Sequence, residues 1–261
     1  MLSAARLRAL LADTVFALSD AALDTVRHSI RVMLSSAMND DLPMSISGRH
    51  PFLQPRWVTQ IRRAAGMLEC RPPDIAFVPL NTAALATHRR PGWLACIRGF
   101  SRYAWSTEVF PQAANRFGAF QGHGSVEILR DGGQEASGFR RDGWDWRLVP
   151  GGTTVLVPLA SMLDKGSCLR SRETFAGALT LDGRNGHFAF RMNSEFYELA
   201  ARKSVFCFDN EIVCLGSAIT CRRQNYPTVT TLFQNGIDAK TDYKPYEVAG
   251  CTVIHDAVGN T

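Results

Sequence analysis

The spacing of apolar residues changes period near residue 70, and this change constrains the fold of the 261-residue chain more than any other feature. Before it, Leu7, Leu10, Leu11, Val15 and Leu18 recur at helical spacing, and Leu23, Val26, Ile30 and Leu34 form a second stripe with Ser19-Asp20 placed to cap it. Pro55 suits the first turn of a third helix with Trp57, Val58, Ile61 and Met67 as its apolar face, and "ECRPPD" ends it. Beyond residue 74 the pattern becomes short β runs such as "GWLACIRGF", "GSVEILRDGG", "TTVLVPLA" and "TVTTLFQ", separated by turn signals. "LDGRNGHF" and "CFDNEIVC" predict tight hairpins, so the strands pair antiparallel. The expected organisation is a helical segment over residues 1–72 and an antiparallel β-sandwich over 73–261.

With 46% hydrophobic and 20% charged residues the chain buries a substantial core and is not disordered. No run of about 18 apolar residues is present, so no membrane span is expected. At the start, Asp13 interrupts an apolar stretch behind Arg6 and Arg8, which predicts a helix and no signal peptide. Cysteines at 70, 96, 168, 207, 214, 221 and 251 show no C-x-x-C spacing and are odd in number, against both a disulfide framework and a thiolate metal site. Most are expected to be buried as small hydrophobes. The sequence names no cofactor, and whether a divalent cation takes part is not readable from it.

The net charge of +5 rests on arginine far more than lysine, in "HRRPGW", "IRGFSRYAW" and "GFRRDGW", with Phe100, Tyr103, Trp105 and Trp144 close by. Arginine suits bidentate contact with carboxylate, sulfate or phosphate, while a solvated basic surface accounts for the same composition. A sugar polymer or a nucleic acid fits this mixture. The densest polar group lies in residues 98–129, where Arg98, Arg102, Glu108, Asn115, Arg116 and His123 fall within one stretch and Gly122 and Gly124 leave room for a ligand. Taken alone, Glu108 also fits a solvated edge residue and His123 a hydrogen-bonded turn histidine. No nucleophile elbow, Walker loop or HExxH is present.

The wording and order of "SISGRHP", "ALATHRRPGWLACIRGFSRYAWSTEVFPQAANRFGAFQGHGSVEIL", "GWDWRLVPGGTTVLVPL" and "KSVFCFDNEIVCLGSAI" resemble polysaccharide lyase family 8, most of all its chondroitin sulfate ABC lyase branch, from about residue 40 onward. The resemblance implies the last helices of an α/α toroid followed by part of an antiparallel β-supersandwich, in an internal piece of a longer enzyme that is secreted or periplasmic. It implies β-elimination on a uronic-acid polysaccharide (chondroitin, dermatan or hyaluronan). The alternative is a carbohydrate-binding sandwich that no longer cleaves. A nucleic-acid binder ranks last, because no motif for it is present, and neither nucleic acid nor membrane is expected as a partner.

In that resemblance, Arg49 of the S-G-R-H-P loop matches the arginine that neutralises the uronate carboxylate, and Glu108 of "WSTEVF" the glutamate that orients it. His50, Arg98, Arg102, Trp105, Asn115, Arg116 and His123 are the candidates for substrate contact. The family's histidine and tyrosine lie some fifty to sixty residues before the S-G-R-H-P loop. Only His28 and no tyrosine precede Arg49, so this acid/base pair is expected to be missing from the chain. Three structural expectations accompany the reading. Arg49 and Glu108 pair across the two layers, Trp144 and Trp146 alternate faces of a strand, and apolar faces left uncovered promote association.

Overall fold

The computed structural model describes residues 1–52, 56–110, 112–162, 167–236, 246–248 and 251–253. Three helices come first: α1 (Leu2–Leu11), α2 (Asp20–Ser35) and α3 (Arg56–Met67). Ser19 caps α2 as expected, its Oγ accepting the amide of Ala22 at 3.3 Å. Leu23, Ile30 and Leu34 are buried, and complete burial of a side chain such as Ile30 contributes about 1.5–3 kcal/mol.

Two of the expected stripes hold only in part. α1 ends at Leu11 and packs against α3 through Ala5, which leaves Leu7 and Leu10 exposed, and Val15 lies beyond its end, 94% exposed. α3 buries Val58, Ile61, Ala64 and Ala65, and Leu68 just past its end is buried with them, whereas Trp57 and Met67 face outward. Ala5 of α1 and Ala64 and Ala65 of α3 share this core with Val58 and Ile61, while Leu7, Leu10, Trp57 and Met67 are exposed. Pro55 lies outside the described residues.

The β elements are β1 (Ala76–Leu80), β2 (Leu85–Arg90), β3 (Trp93–Arg98), β4 (Glu108–Val109) and β5 (Ser125–Arg130), then a single helical turn α4 (Gly133–Ala136). They continue with β6 (Thr153–Val155), β7 (Ser167–Cys168), β8 (Ala176–Leu181), β9 (Asn185–Ser194), β10 (Leu199–Phe208), β11 (Glu211–Cys221), β12 (Thr228–Thr230), β13 (Tyr246–Val248) and β14 (Cys251–Val253). One four-stranded sheet has the order β1-β2-β3-β5 and the other β11-β10-β9-β8, every pairing being antiparallel. Pairs β6-β12, β4-β7 and β13-β14 complete the strands. Both expected hairpins form, β8-β9 around Asp182–Arg184 and β10-β11 around Asp209-Asn210.

The main core lies between the two large sheets: Phe77, Ile97 and Phe100 meet Phe188, Phe190, Met192 and Val205. Contact is close enough that a Cβ at Gly186 would overlap the Phe77 ring. The other face of the first sheet carries Leu94 and Leu129, which pack with Met38, Met44 and Phe139. The first sheet therefore lies between the second sheet and the α2–α3 connection. Arg89 of β2 fastens this layer by donating from Nη1 to the carbonyls of Ala37 (2.8 Å) and Leu34 (3.5 Å) at the end of α2.

Trp144 and Trp146 do not alternate across a strand, because the segment around them is a succession of turns. Both are half-buried against one ring, Phe52, at 5.6 and 5.9 Å in edge contacts. Asp145, between them, spends its carboxylate on Arg147 and its backbone on Gln234 rather than on a neighbouring strand. Among the described residues the outer face of the second sheet leaves Leu179, Leu181, Phe208, Val213 and Leu215 exposed.

Candidate active site

The segment Pro43–His50 is a compact turn before it is a site. Ile46 N donates to Pro43 O, Ser47 N to Met44 O, Ser47 Oγ to Pro43 O at 2.7 Å and His50 N to Ser47 O. Gly48 takes φ +62°, a left-handed value that favours glycine, and this reverses the chain so that Arg49 projects from the turn. Gln134 of α4 holds the far side of the turn, its Nε2 donating to Leu42 O at 2.6 Å and to Pro51 O at 2.8 Å.

Arg49 reaches Glu108 on β4. Nε donates to Oε2 at 3.0 Å and Nη2 to Oε1 at 2.9 Å, two parallel charge-assisted bonds between side chains 44% and 42% exposed. The ring of Phe110 lies 4.1 Å from the guanidinium carbon and supports it from its face. The hydrogen bonds from Arg49 hold the Glu108 carboxyl below the usual carboxylate range, with a smaller opposing effect from burial. Asn115 Nδ2 donates to Glu108 O at 2.6 Å and fixes the backbone that carries the carboxylate. A rigid, exposed guanidinium backed by an aromatic ring and a carboxylate can receive a ligand carboxylate with little reorganisation.

Next to this pair runs a ledge of arginine and aromatic side chains. The 101–109 segment lies along 167–173 through Ser106 N to Leu169 O, Arg102 N to Glu173 O and the β4-β7 pairing. Arg170 stacks on Trp105, 4.6 Å from the ring centroid, and Arg116 on Phe117 at 4.4 Å. His50, Arg102, Trp105 and Arg116 are exposed, as substrate contact requires.

Three other expected contacts are turned toward the protein itself. His123 is 0% exposed, enclosed by Phe100, Phe120 and Tyr197. Among the described residues neither of its ring nitrogens has a hydrogen-bond partner. Burial, reinforced by the Lys203 ammonium, drives its pKa down to about 3, the Phe120 backbone opposing this only weakly, so the ring is a neutral core element and touches no polymer. Asn115 is fully buried and acts on Glu108, not on a ligand. Arg98 is turned inward, where Nη1 donates to Ser45 O and Nη2 to Trp105 O at 3.2 Å, tying the two loops together. Gly122 and Gly124 likewise make room for the protein itself, the first against Ser106 and the second against Lys203.

The sequence reading missed Phe110, Gln134 and Arg170. Phe110 is two residues from Glu108 in an extended segment, so a shared face could have been read; Gln134 and Arg170 gave no local signal. Among the described residues no group of His, Cys, Asp or Glu side chains could hold a metal ion, and no helix is long and apolar enough to cross a membrane. Cys70, Cys96 and Cys207 are buried free thiols as expected, Cys221 is half-buried and Cys214 is exposed; Cys168 and Cys251 have no described side chains.

Comparison with known proteins places the chain in a family and a fold. Residues 81–250 match the model of the polysaccharide lyase family 8 super-sandwich domain. The chain is 28% identical to the chondroitin sulfate ABC endolyase of Proteus vulgaris over 90% of its length, and 30% identical to the ABC exolyase of the same organism over 86%. It is 36% identical to the ABC exolyase of Bacteroides thetaiotaomicron over 62%. The chain spans 27% of each Proteus protein and 18% of the Bacteroides one. Among solved structures, a chondroitinase AC lyase studied with oligosaccharides superposes with a TM-score of 0.75 at 20% identity, over 97% of this chain and 40% of that one. A Streptomyces coelicolor A3 chondroitin AC lyase in complex with chondroitin sulphate gives 0.64 at 18%, over 95% of this chain and 42% of that one.

Proposed function

The chain belongs to polysaccharide lyase family 8, and from that membership we propose that it forms the sandwich side of an active site that cleaves uronic-acid glycosaminoglycans, chondroitin or dermatan sulfate and hyaluronan, by β-elimination. The observation that carries this reading is the bidentate Arg49–Glu108 pair, which joins the helical layer to the sheet layer at an exposed position. In the reaction a base removes the C5 proton of the uronate, the C4–O bond breaks, an acid protonates the departing oxygen, and a C4–C5 double bond remains. Negative charge develops on the uronate carboxylate as C5 is deprotonated, and a preorganised guanidinium stabilises it there. Arg49 is that guanidinium in this proposal. Glu108 and Phe110 fix its position, and His50, Arg102, Trp105 and Arg116 contact the neighbouring sugars.

Residues 1–72 are taken as the end of an α/α toroid, whose earlier helices supply the acid and base within a longer protein exported from the cytoplasm. His123 cannot replace them, since it is enclosed on every side. Binding without cleavage is the second reading, and the exposed Arg170–Trp105 stack favours it because such a stack grips a sugar face without chemistry.

Titration of the chain with chondroitin sulfate oligosaccharides tests the binding that both readings share, and ultraviolet absorbance for the unsaturated uronate, followed in the longer protein that carries the acid and base, separates the two readings. Binding that Arg49→Ala abolishes is expected, and product formation adds catalysis to it. Absence of binding to any uronate polymer, or binding equally well displaced by single-stranded DNA, overturns the assignment.

A further inference from the structure

Glu127 is a buried carboxylate that the proposed chemistry does not use. It lies in the middle of β5, paired with Cys96 of β3, and is 1% exposed. Its side chain is on the face of the first sheet that also carries Leu94 and Leu129, the face covered by the α2–α3 connection. Its hydrogen bonds all go to one residue of that connection. Ser45 N donates to Oε2 at 3.0 Å and to Oε1 at 3.2 Å, and Ser45 Oγ donates to Oε2 at 2.8 Å. Arg98 of β3 takes the Ser45 carbonyl, so each backbone polar group of this buried residue is held by a sheet side chain.

Ser45 stands at the base of the turn that presents Arg49. From Ser45 to His50 the chain has little freedom, because the bonds from Ile46, Ser47 and His50 back to Pro43, Met44 and Ser47 close successive turns. A displacement of Ser45 is therefore transmitted to Arg49. We infer that Glu127 is a positioning residue: its carboxylate, fixed on strand β5, holds Ser45 and thereby sets where the Arg49 guanidinium meets Glu108. This rests on the reading of Arg49 as the substrate-facing group. Burial raises the Glu127 pKa to about 7, yet either protonation state can hold Ser45, since the acid accepts the amide on one oxygen and donates from the other to Ser45 Oγ. The other ionisable groups facing it are Arg98 and Cys96, whose thiol burial keeps protonated.

The test uses the full chain with 15N-labelled arginine and follows the Nε–H signal of Arg49, assigned by its disappearance in Arg49→Lys. In the wild type this proton is bonded to Glu108 and is expected to exchange more slowly with solvent than that of an arginine lacking such a bond. Glu127→Ala is expected to keep a cooperative melt and to lose the Arg49 signal to fast exchange. Glu127→Gln, whose carboxamide can accept from Ser45 N and donate to Ser45 Oγ, is expected to retain it. A wild-type signal in Glu127→Ala overturns the inference, and loss in both variants overturns its hydrogen-bonding basis. Should Glu127→Ala not fold, Ser45→Ala removes one of the bonds and decides the matter: faster exchange at Arg49 supports the inference and an unchanged signal overturns it. Oligosaccharide binding by the same wild-type sample tests the functional reading separately, because the exchange measurement needs no ligand.

Discussion

Arg49 and Glu108 are 59 positions apart and meet side-on, with two nitrogens of one guanidinium edge on the two oxygens of one carboxylate at 3.0 and 2.9 Å. Lysine keeps the charge of arginine but cannot present two parallel N–H groups. Arg49→Lys is expected to weaken chondroitin sulfate oligosaccharide binding by about tenfold, measured by calorimetry, and Arg49→Ala by more. Thermal midpoints of both variants should match the wild type, because the pair is exposed and adds little to stability.

His123 and Glu127 act on the pH dependence of stability in opposite directions. The fold lowers His123 from 6.5 to about 3, so between these values the unfolded chain binds a proton the folded chain excludes, and stability falls as the pH drops. It raises Glu127 from 4.5 to about 7, so across that window the folded chain holds the extra proton and stability falls as the pH rises. Each group contributes up to about 1.4 kcal/mol per pH unit within its window. Relative to wild type, His123→Leu should make the denaturant midpoint fall more steeply from pH 4.5 to 7, and Glu127→Gln should make it rise across the same range. Profiles parallel to the wild type in both variants would contradict these shifts.

Gly133 marks where the Arg49 connection is bolted to the sheet. It adopts φ +76°, a Cβ there would overlap the Asp41 carboxylate, and that carboxylate accepts the amide of Gln134 at 2.8 Å. Gly133→Ala is expected to lower stability by about 1–3 kcal/mol in a denaturant titration. Adding Asp41→Ala should recover the steric part of that loss and leave the backbone part.

The uncovered face of the second sheet should drive self-association. Leu179 and Leu181 on β8 and Phe208, Val213 and Leu215 on β10 and β11, on one face of the sheet with β9 between the two groups, are between 44% and 62% exposed, and a contiguous apolar patch of a few hundred Å² is an interaction surface. Light scattering of the full chain is expected to show oligomers whose fraction grows with concentration. Val213→Thr with Leu215→Thr should shift the distribution toward monomer; a wild type that stays monomeric at high concentration would remove this expectation.

The sequence by itself determined the helix-to-strand succession near residue 70, the Ser19 cap and the two hairpins, because these depend on neighbours within a few positions. It also carried Arg49 and Glu108 through the motifs around them. It did not fully determine which side of α1 and α3 faces inward, since Leu7, Leu10, Trp57 and Met67 are apolar yet exposed, while Ala5, Ala64 and Ala65 are buried. Nor did it separate His123 and Asn115, which are buried, from Arg102 and Arg116, which are exposed, although all four lie in one polar stretch. Burial of a polar side chain is decided by partners far along the chain: Tyr197 and Lys203 beside His123, or Ser45 on Glu127, 82 positions away. Tertiary packing alone brings such groups together, and the loss of water on burial then sets their charge state and whether they can touch a ligand at all.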